Sequence, residues 1–156
     1  MLPEIIHTLQ LKIYEVFSRP YELNIVGIRS DSVVPNSFDD WIHVFFKNNT
    51  GQWIHYPFQA TTDPGTYWLK NPIMVQGTAI LKAGQYKQAY QVGLHRGLYY
   101  ALVQRKPVTV TRDYDRDAVL DFMNGKDYTG MFGINVHRAA ADGTSKIIDK
   151  YSAGCQ

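Results

Sequence analysis

The residue types best suited to chemistry are the chain's single cysteine, Cys155, and the histidine eighteen positions before it, His137. A thiol attacks a carbonyl only as thiolate. A neighbouring imidazole can take its proton and later return it to a leaving amine. Acyl transfer also needs donors for the tetrahedral oxyanion, and backbone N–H groups beside the nucleophile supply them. Gly154 has no Cβ to obstruct a sharp turn or a close substrate, so Gly154-Cys155 has the local make-up of an oxyanion hole. Ser152 offers a hydroxyl to orient His137 or to hold substrate. His95, in Val92-Gly93-Leu94-His95-Arg96-Gly97, is a candidate for the cleft wall. Tyr86 and Tyr90 read as packing residues.

The elements that must position these groups read as short strands. Phe132, Ile134 and Val136 alternate with Gly133, Asn135 and His137, which predicts a strand ending at the histidine. The segment 139–145 reads as a loop that can return the chain beside it. Upstream, 23–28, 41–46, 53–58, 78–81, 86–94, 99–104 and 108–112 read as strands separated by turn residues, the pattern of a largely antiparallel sandwich or barrel. Asn48-Asn49-Thr50-Gly51 predicts a hairpin turn between 41–46 and 53–58. Residues 3–18 predict an amphipathic helix stopped by Pro20, and 117–123 a short second helix. The fold class is therefore mainly β with an N-terminal helix over 1–20, followed by a single β-rich domain over 21–156.

Composition agrees with that class and excludes others. A chain of 156 residues with eleven Tyr, seven Phe and three Trp is rich in side chains that suit a pleated surface. The net charge is +2 with no Lys/Arg block, so there is no electrostatic case for nucleic acid. No run approaches the ~18 apolar residues of a membrane span, and the N-terminus does not read as a secretory signal. One cysteine excludes an intramolecular disulfide.

Three other groups are weaker candidates. His43 and His55 face each other across the predicted hairpin, with no carboxylate or Cys to complete a metal set. Asp113, Asp115 and Asp117 alternate like the start of a calcium loop. However, Ala118 stands where that loop needs Gly, and Asn124 where it needs a bidentate Glu; a solvated turn with Asp117 capping a short helix is the plainer reading. Trp41, Trp53 and Trp68 could form a carbohydrate platform, though core packing explains them as well.

The set His137 … Ser152-Ala153-Gly154-Cys155 resembles the L,D-transpeptidase catalytic domain, whose pattern is a His, a gap of similar length, then Ser/Thr-His-Gly-Cys. Phe132–His137 is similar to the family's apolar strand ending in the catalytic His. Ile80–Tyr86 is similar to its Pro-x-Gly-x-Tyr/Phe strand, with Ala83 in the Pro position. The resemblance covers residues 78–156, about half the chain. It implies an L,D-transpeptidase-like β-sandwich or barrel, a thioacyl-enzyme on Cys155, peptidoglycan stem peptides as donors, and no metal or cofactor. Transfer to an amine would make a transpeptidase, and transfer to water a cell-wall peptidase. The plain helical start resembles a phage-borne version acting at the cell wall, alongside other virion proteins. The alternative is a non-catalytic virion module that keeps the fold. Ala153 and Gln156 depart from the family pattern, which also continues beyond the nucleophile with a further strand and a basic substrate-binding residue. The expectation is therefore a fragment truncated after Gln156, a processed product or an incomplete site, with a nucleophile frayed by its end position and Arg138 as the candidate for the family's missing carboxylate-binding cation.

Overall fold

The computed structural model describes residues 1–123 and 125–156. Asn124, the last position in the calcium-loop comparison, lies outside the described residues. Helix α1 (Leu2–Leu11) is followed by strands β1 (Asn24–Ile28), β2 (Asp40–Lys47) and β3 (Trp53–Ala60), helix α2 (Thr66–Lys70), and strands β4 (Thr78–Leu81), β5 (Tyr90–His95), β6 (Tyr99–Gln104), β7 (Val108–Asp113) and β8 (Lys126–Gly130). The protein is mainly β, with 32% strand and 10% helix. The strands form three open antiparallel sheets, β1-β2-β3, β4-β7-β8 and β5-β6. No helix among the described residues is long and apolar enough to cross a membrane.

The first sheet follows the alternation in the sequence. Val44 lies opposite Tyr56 and Ile25, and Ile42 opposite Phe58, so these side chains share one face. The β2–β3 turn closes through Asn48, whose Oδ1 accepts the N–H groups of Thr50 and Gln52, each at 3.0 Å, while Gly51 takes φ +79°. Pro57 lies in β3, an outer strand of its sheet, where a missing N–H is tolerated.

Strand β4 has both faces covered. Ala79 packs with Val108, Val110 and Ile134, while Ile80 packs with Leu69 and Leu120. Helix α2, which the sequence reading does not include, supplies Leu69.

Besides α2 and β8, which the sequence does not predict, four predicted elements differ from expectation. Helix α1 stops at Leu11 rather than near residue 18, because Ile13 adopts φ +58°. Its N–H bonds to Gln10 O and that of Tyr14 to Leu9 O, the pairing of a Schellman stop. Residues 15–17 then run to side-chain amides: Gln85 exchanges two hydrogen bonds with the Glu15 backbone, and Asn24 two with that of Phe17. Residues 117–123 are bends, not helix. Asp117 caps only a turn, accepting the Val119 N–H at 2.7 Å. The strand predicted over 86–94 begins at Tyr90. The strand predicted over 132–137 is replaced by irregular backbone with Gly133 at φ +72°, and a regular strand lies just before it at β8.

Candidate active site

Irregular backbone carries the site, and a buried glutamine holds that backbone in place. Gln104, at the end of β6, is 3% exposed. Its Oε1 accepts the N–H groups of Phe132 (3.1 Å) and Ile134 (3.0 Å), and its Nε2 donates to the carbonyls of Gly130 and Lys106, both at 2.9 Å. One amide side chain thus satisfies the groups that a neighbouring strand would otherwise pair. Asn135 is fixed in turn by the Gln104 N–H, which donates to its Oδ1 at 2.9 Å. Val136 exchanges two backbone hydrogen bonds with Leu102 of β6.

The terminal segment joins this ribbon on its other side. Gln156 donates its N–H to the Asn135 carbonyl at 2.8 Å and accepts the His137 N–H at 2.9 Å. The two bonds bracket Val136, as in a parallel pair. Residues one step from a paired position point to the same face, so Cys155 and His137 share a face, offset diagonally. Gln156 is also held through its side chain, with Nε2 donating to Gly154 O at 3.1 Å and Thr62 O at 3.4 Å. The frayed end expected from its position is therefore a docked one.

Gly154 is required by space as well as by backbone angle. It has φ +113°, and a Cβ there would lie 2.2 Å from the Ala79 carbonyl oxygen of β4. Ser152 is 3% exposed and serves the turn itself: its hydroxyl donates to Cys155 O at 2.7 Å and accepts the Gly154 N–H at 3.1 Å. It neither orients His137 nor, with these bonds made, holds substrate. The Gly154 N–H is likewise committed, so the oxyanion hole read from Gly154-Cys155 reduces to the Cys155 N–H. The turn is anchored to the segment before α2, where the Gly65 N–H donates to Ser152 O at 2.9 Å.

His137 is half-buried, and its Nδ1 lies 2.8 Å from its neighbour's carbonyl, Arg138 O. A carbonyl can only accept, so Nδ1 carries the proton and Nε2 keeps a free lone pair. The Tyr99 hydroxyl lies 3.1 Å from Nδ1 and 3.3 Å from Arg138 O. Burial holds the His137 pKa below the ordinary histidine value. The Arg138 carbonyl opposes that shift, and the charge of Arg96 adds to it. Cys155 is half-buried, and burial pushes its thiol up, against the Asn135 N–H and the Arg96 charge, which both favour thiolate. At rest, both shifts favour a neutral thiol beside a neutral imidazole. The sulfur donates to Gly133 O at 3.5 Å, and no hydrogen bond joins it to His137 among the described residues.

Cys155, His137 and Arg138 line a half-open cavity of about 690 Å³. Its far wall is the apolar face of the first sheet, with Ile25, Ile42, Val44 and Phe58. Arg138 and Lys146 bring positive charge, and no Asp or Glu side chain lines it among the described residues. The placement of Arg138 suits an anionic group, although its guanidinium also sits 4.7 Å over the Tyr99 ring. His95 is not part of the wall. It is 6% exposed and stacks on His137 with ring centroids 4.3 Å apart.

No family model matches this chain, and no match is found among curated proteins or solved structures. The site therefore rests on its own geometry. Sequence reasoning missed Gln104, Asn135, Tyr99 and the sheet wall. Of these, only Asn135 carried a signal, as a polar residue within an apolar alternation.

The remaining candidates separate from this site. His43 and His55 do face each other, with Nδ1 and Nε2 2.9 Å apart. No cluster of three or more His, Cys, Asp or Glu side chains is arranged for a metal among the described residues. Asp115 and Asp117 accept N–H groups of their own turn, while Asp113 is fully buried and accepts the Asp121 N–H at 3.0 Å. Trp41 and Trp53 sit six positions apart along β2, since Trp53 pairs with Lys47, a separation of roughly 20 Å. Trp68 lies on α2, donating to Lys150 O. The three do not form one platform.

Proposed function

We propose that this protein is a cysteine acyl-transfer domain of the L,D-transpeptidase-like kind, acting on peptidoglycan stem peptides at the cell wall. Cys155 is the nucleophile and His137 its base. The observation that carries the reading is the pairing of Gln156 with Val136, which sets Cys155 and His137 diagonally on one face; both residues line one cavity. Because the resting pair is neutral, the base acts during attack rather than by maintaining a thiolate. The sulfur leaves the Gly133 carbonyl and turns toward Nε2. Its proton passes to His137 as the S–C bond forms, and the imidazolium then protonates the departing amine. An amine or water next resolves the thioester, giving a transpeptidase or a peptidase. The Cys155 N–H faces the developing oxyanion, and Arg138 holds a donor carboxylate. The fold then belongs with the sandwich or barrel of that family.

The bond from Sγ to Gly133 O and the raised thiol pKa favour a second reading, a virion module that keeps the fold without turnover. Incubation with purified peptidoglycan separates them. Acyl transfer predicts release or exchange of stem-peptide fragments and a mass adduct on Cys155, both lost in Cys155→Ala at unchanged melting temperature. Equal turnover by Cys155→Ala removes the nucleophile. Wall association without turnover in either protein selects the module.

A further inference from the structure

We propose that His95 is a positioning residue for this site, a buried platform that holds the His137 ring in the plane and neutral tautomer required of a general base; the role rests on the acyl-transfer reading above. The two imidazoles are near-parallel, with centroids 4.3 Å apart and planes at 24°. A chain of one-way hydrogen bonds fixes the state of His95. The Gln104 backbone N–H can only donate, so the atom of Asn135 that it meets is Oδ1. The other end of that amide is therefore the NH2 group, which lies 3.0 Å from His95 Nδ1. An NH2 group can only donate, so Nδ1 must accept, and His95 carries its single proton on Nε2. A doubly protonated His95 would set N–H against N–H at that contact.

His137 is fixed from the opposite direction by the Arg138 carbonyl, which requires a proton on Nδ1. Each ring thus has one defined neutral tautomer, and a charge on either would face its stacked neighbour. The groups around His137 agree with that. From β5 comes His95, from the β5–β6 turn the Arg96 cation, from β6 the Tyr99 hydroxyl, from its own segment the Arg138 carbonyl, and from the terminal segment the Gln156 carbonyl, which takes the His137 N–H. No carboxylate is among the groups that shift either ring. Burial is the largest influence on both and lowers both.

The test is an NMR titration of His137, assigned by His137→Gln among the five histidines of the chain, in wild type, His95→Ala and His95→Phe. Wild type should show the proton on Nδ1 and a midpoint below the ordinary histidine value. Removing the platform in His95→Ala should admit water and raise the midpoint by about half a pH unit or more. The ring in His95→Phe should restore the low midpoint. In turnover, His95→Ala should lower kcat more than it raises KM and move the acid limb of the pH profile upward. A His137 midpoint and tautomer identical in all three proteins overturns the proposal. If His95→Ala does not fold, His95→Phe decides alone: a wild-type midpoint supports the platform, and a raised one rejects it. The titration needs no substrate, so it stands apart from the Cys155→Ala experiment, whose failure would remove the chemistry and leave the stacking result intact.

Discussion

The β2–β3 hairpin and the segment 131–156 solve the same problem by different means. Both must satisfy every backbone N–H and carbonyl they bury. The hairpin does so with an eight-position ladder running from Asp40↔Ala60 to Lys47↔Trp53. The later segment has scattered backbone bonds, at Leu102–Val136, Gln156–Val136, Gly65–Ser152, Asn36–Ile148 and Ile148–Tyr151, and side chains supply much of what a ladder would: Gln104 for 130–134, Ser152 for the turn at Gly154, and Asn36, whose Oδ1 accepts the Asp149 N–H. A ladder spreads its stability over many equivalent bonds. A side-chain amide concentrates it in one residue, and in exchange it can hold backbone in shapes that no sheet permits. The candidate site lies in the second kind of region.

Truncating Gln104 should therefore have the largest effect on stability outside Cys155 and His137. Gln104→Ala leaves two N–H groups and two carbonyls without their partner. At about 1–3 kcal/mol for each buried group left unsatisfied, with some relief from entering water, a loss of roughly 4 kcal/mol is expected in chemical denaturation. Gln104→Glu keeps the acceptor and loses the donors, so it should fall between. A loss below about 1 kcal/mol for Gln104→Ala would show that the backbone at 130–134 finds other partners, and the contrast with the ladder would fail.

The same contrast explains what the sequence made legible. Strands β1 to β4, β6 and β7 were readable because period-two alternation and the Asn48–Gly51 turn are local signals, and burial on one face enforces them. Cys155 and His137 were readable as residue types. The strand expected over 132–137 shows the failure. Phe132, Ile134 and Val136 do alternate, and Ile134 is 2% exposed. The backbone is nonetheless turned by Gly133 and held by an amide about thirty residues earlier in the chain. No local window contains that information. The helix expected over 3–18 fails for a related reason, since its periodicity continues beyond Ile13 while Gln85 and Asn24 draw 15–17 into extended chain. Non-local amides overrode local pattern in both places.

Two glycines with positive φ sharpen the comparison at the next size of effect. Gly51, in the hairpin turn, has open space where a Cβ would go, whereas at Gly154 that atom would meet the Ala79 carbonyl at 2.2 Å. Gly51→Ala should cost only the backbone preference, about 1 kcal/mol. Gly154→Ala adds a clash with a strand that cannot move, for a total of about 3 kcal/mol, and should displace Cys155 from the wall of the cavity. Equal losses at the two positions would mean that the terminal turn is free to shift.

Titration should divide the two regions by sign. His43 in the hairpin is buried against His55, and burial first, then that neighbour, holds its pKa below 6.5. The unfolded chain therefore binds the proton first, and the hairpin's contribution to stability falls as pH drops through and below 6.5. Asp63, in the segment that supports the terminal turn, behaves oppositely. Arg29 Nε lies 2.8 Å from its Oδ1 but donates its hydrogen bond to Thr62 Oγ1 at 2.9 Å, leaving that oxygen without one. Burial outweighs the nearby charge and pushes the carboxyl from 3.8 to about 7. Here the folded state binds the proton first, so stability falls as pH rises from about 4 to about 7. Relative to wild type, the melting temperature of Asp63→Asn should gain progressively as pH rises from about 4 to about 7, and that of His43→Phe should gain as pH drops below 6.5. A wild-type curve whose slope neither variant changes would assign the pH dependence elsewhere.

The smallest effect belongs to Asn48, and it tests the comparison because Asn48 is the hairpin's own version of Gln104. Its Oδ1 accepts three hydrogen bonds, from the N–H groups of Thr50 and Gln52 and from the Thr50 hydroxyl. By number of bonds it nearly equals Gln104. It differs in burial: these groups are in contact with water, which replaces the lost acceptor, and the ladder beyond Lys47↔Trp53 holds the register without it. Asn48→Ala should therefore cost about 1 kcal/mol or less, against roughly four times that for Gln104→Ala. Comparable losses would mean that the count of bonds, rather than their isolation from solvent, sets the cost, and the two regions would then differ in shape alone.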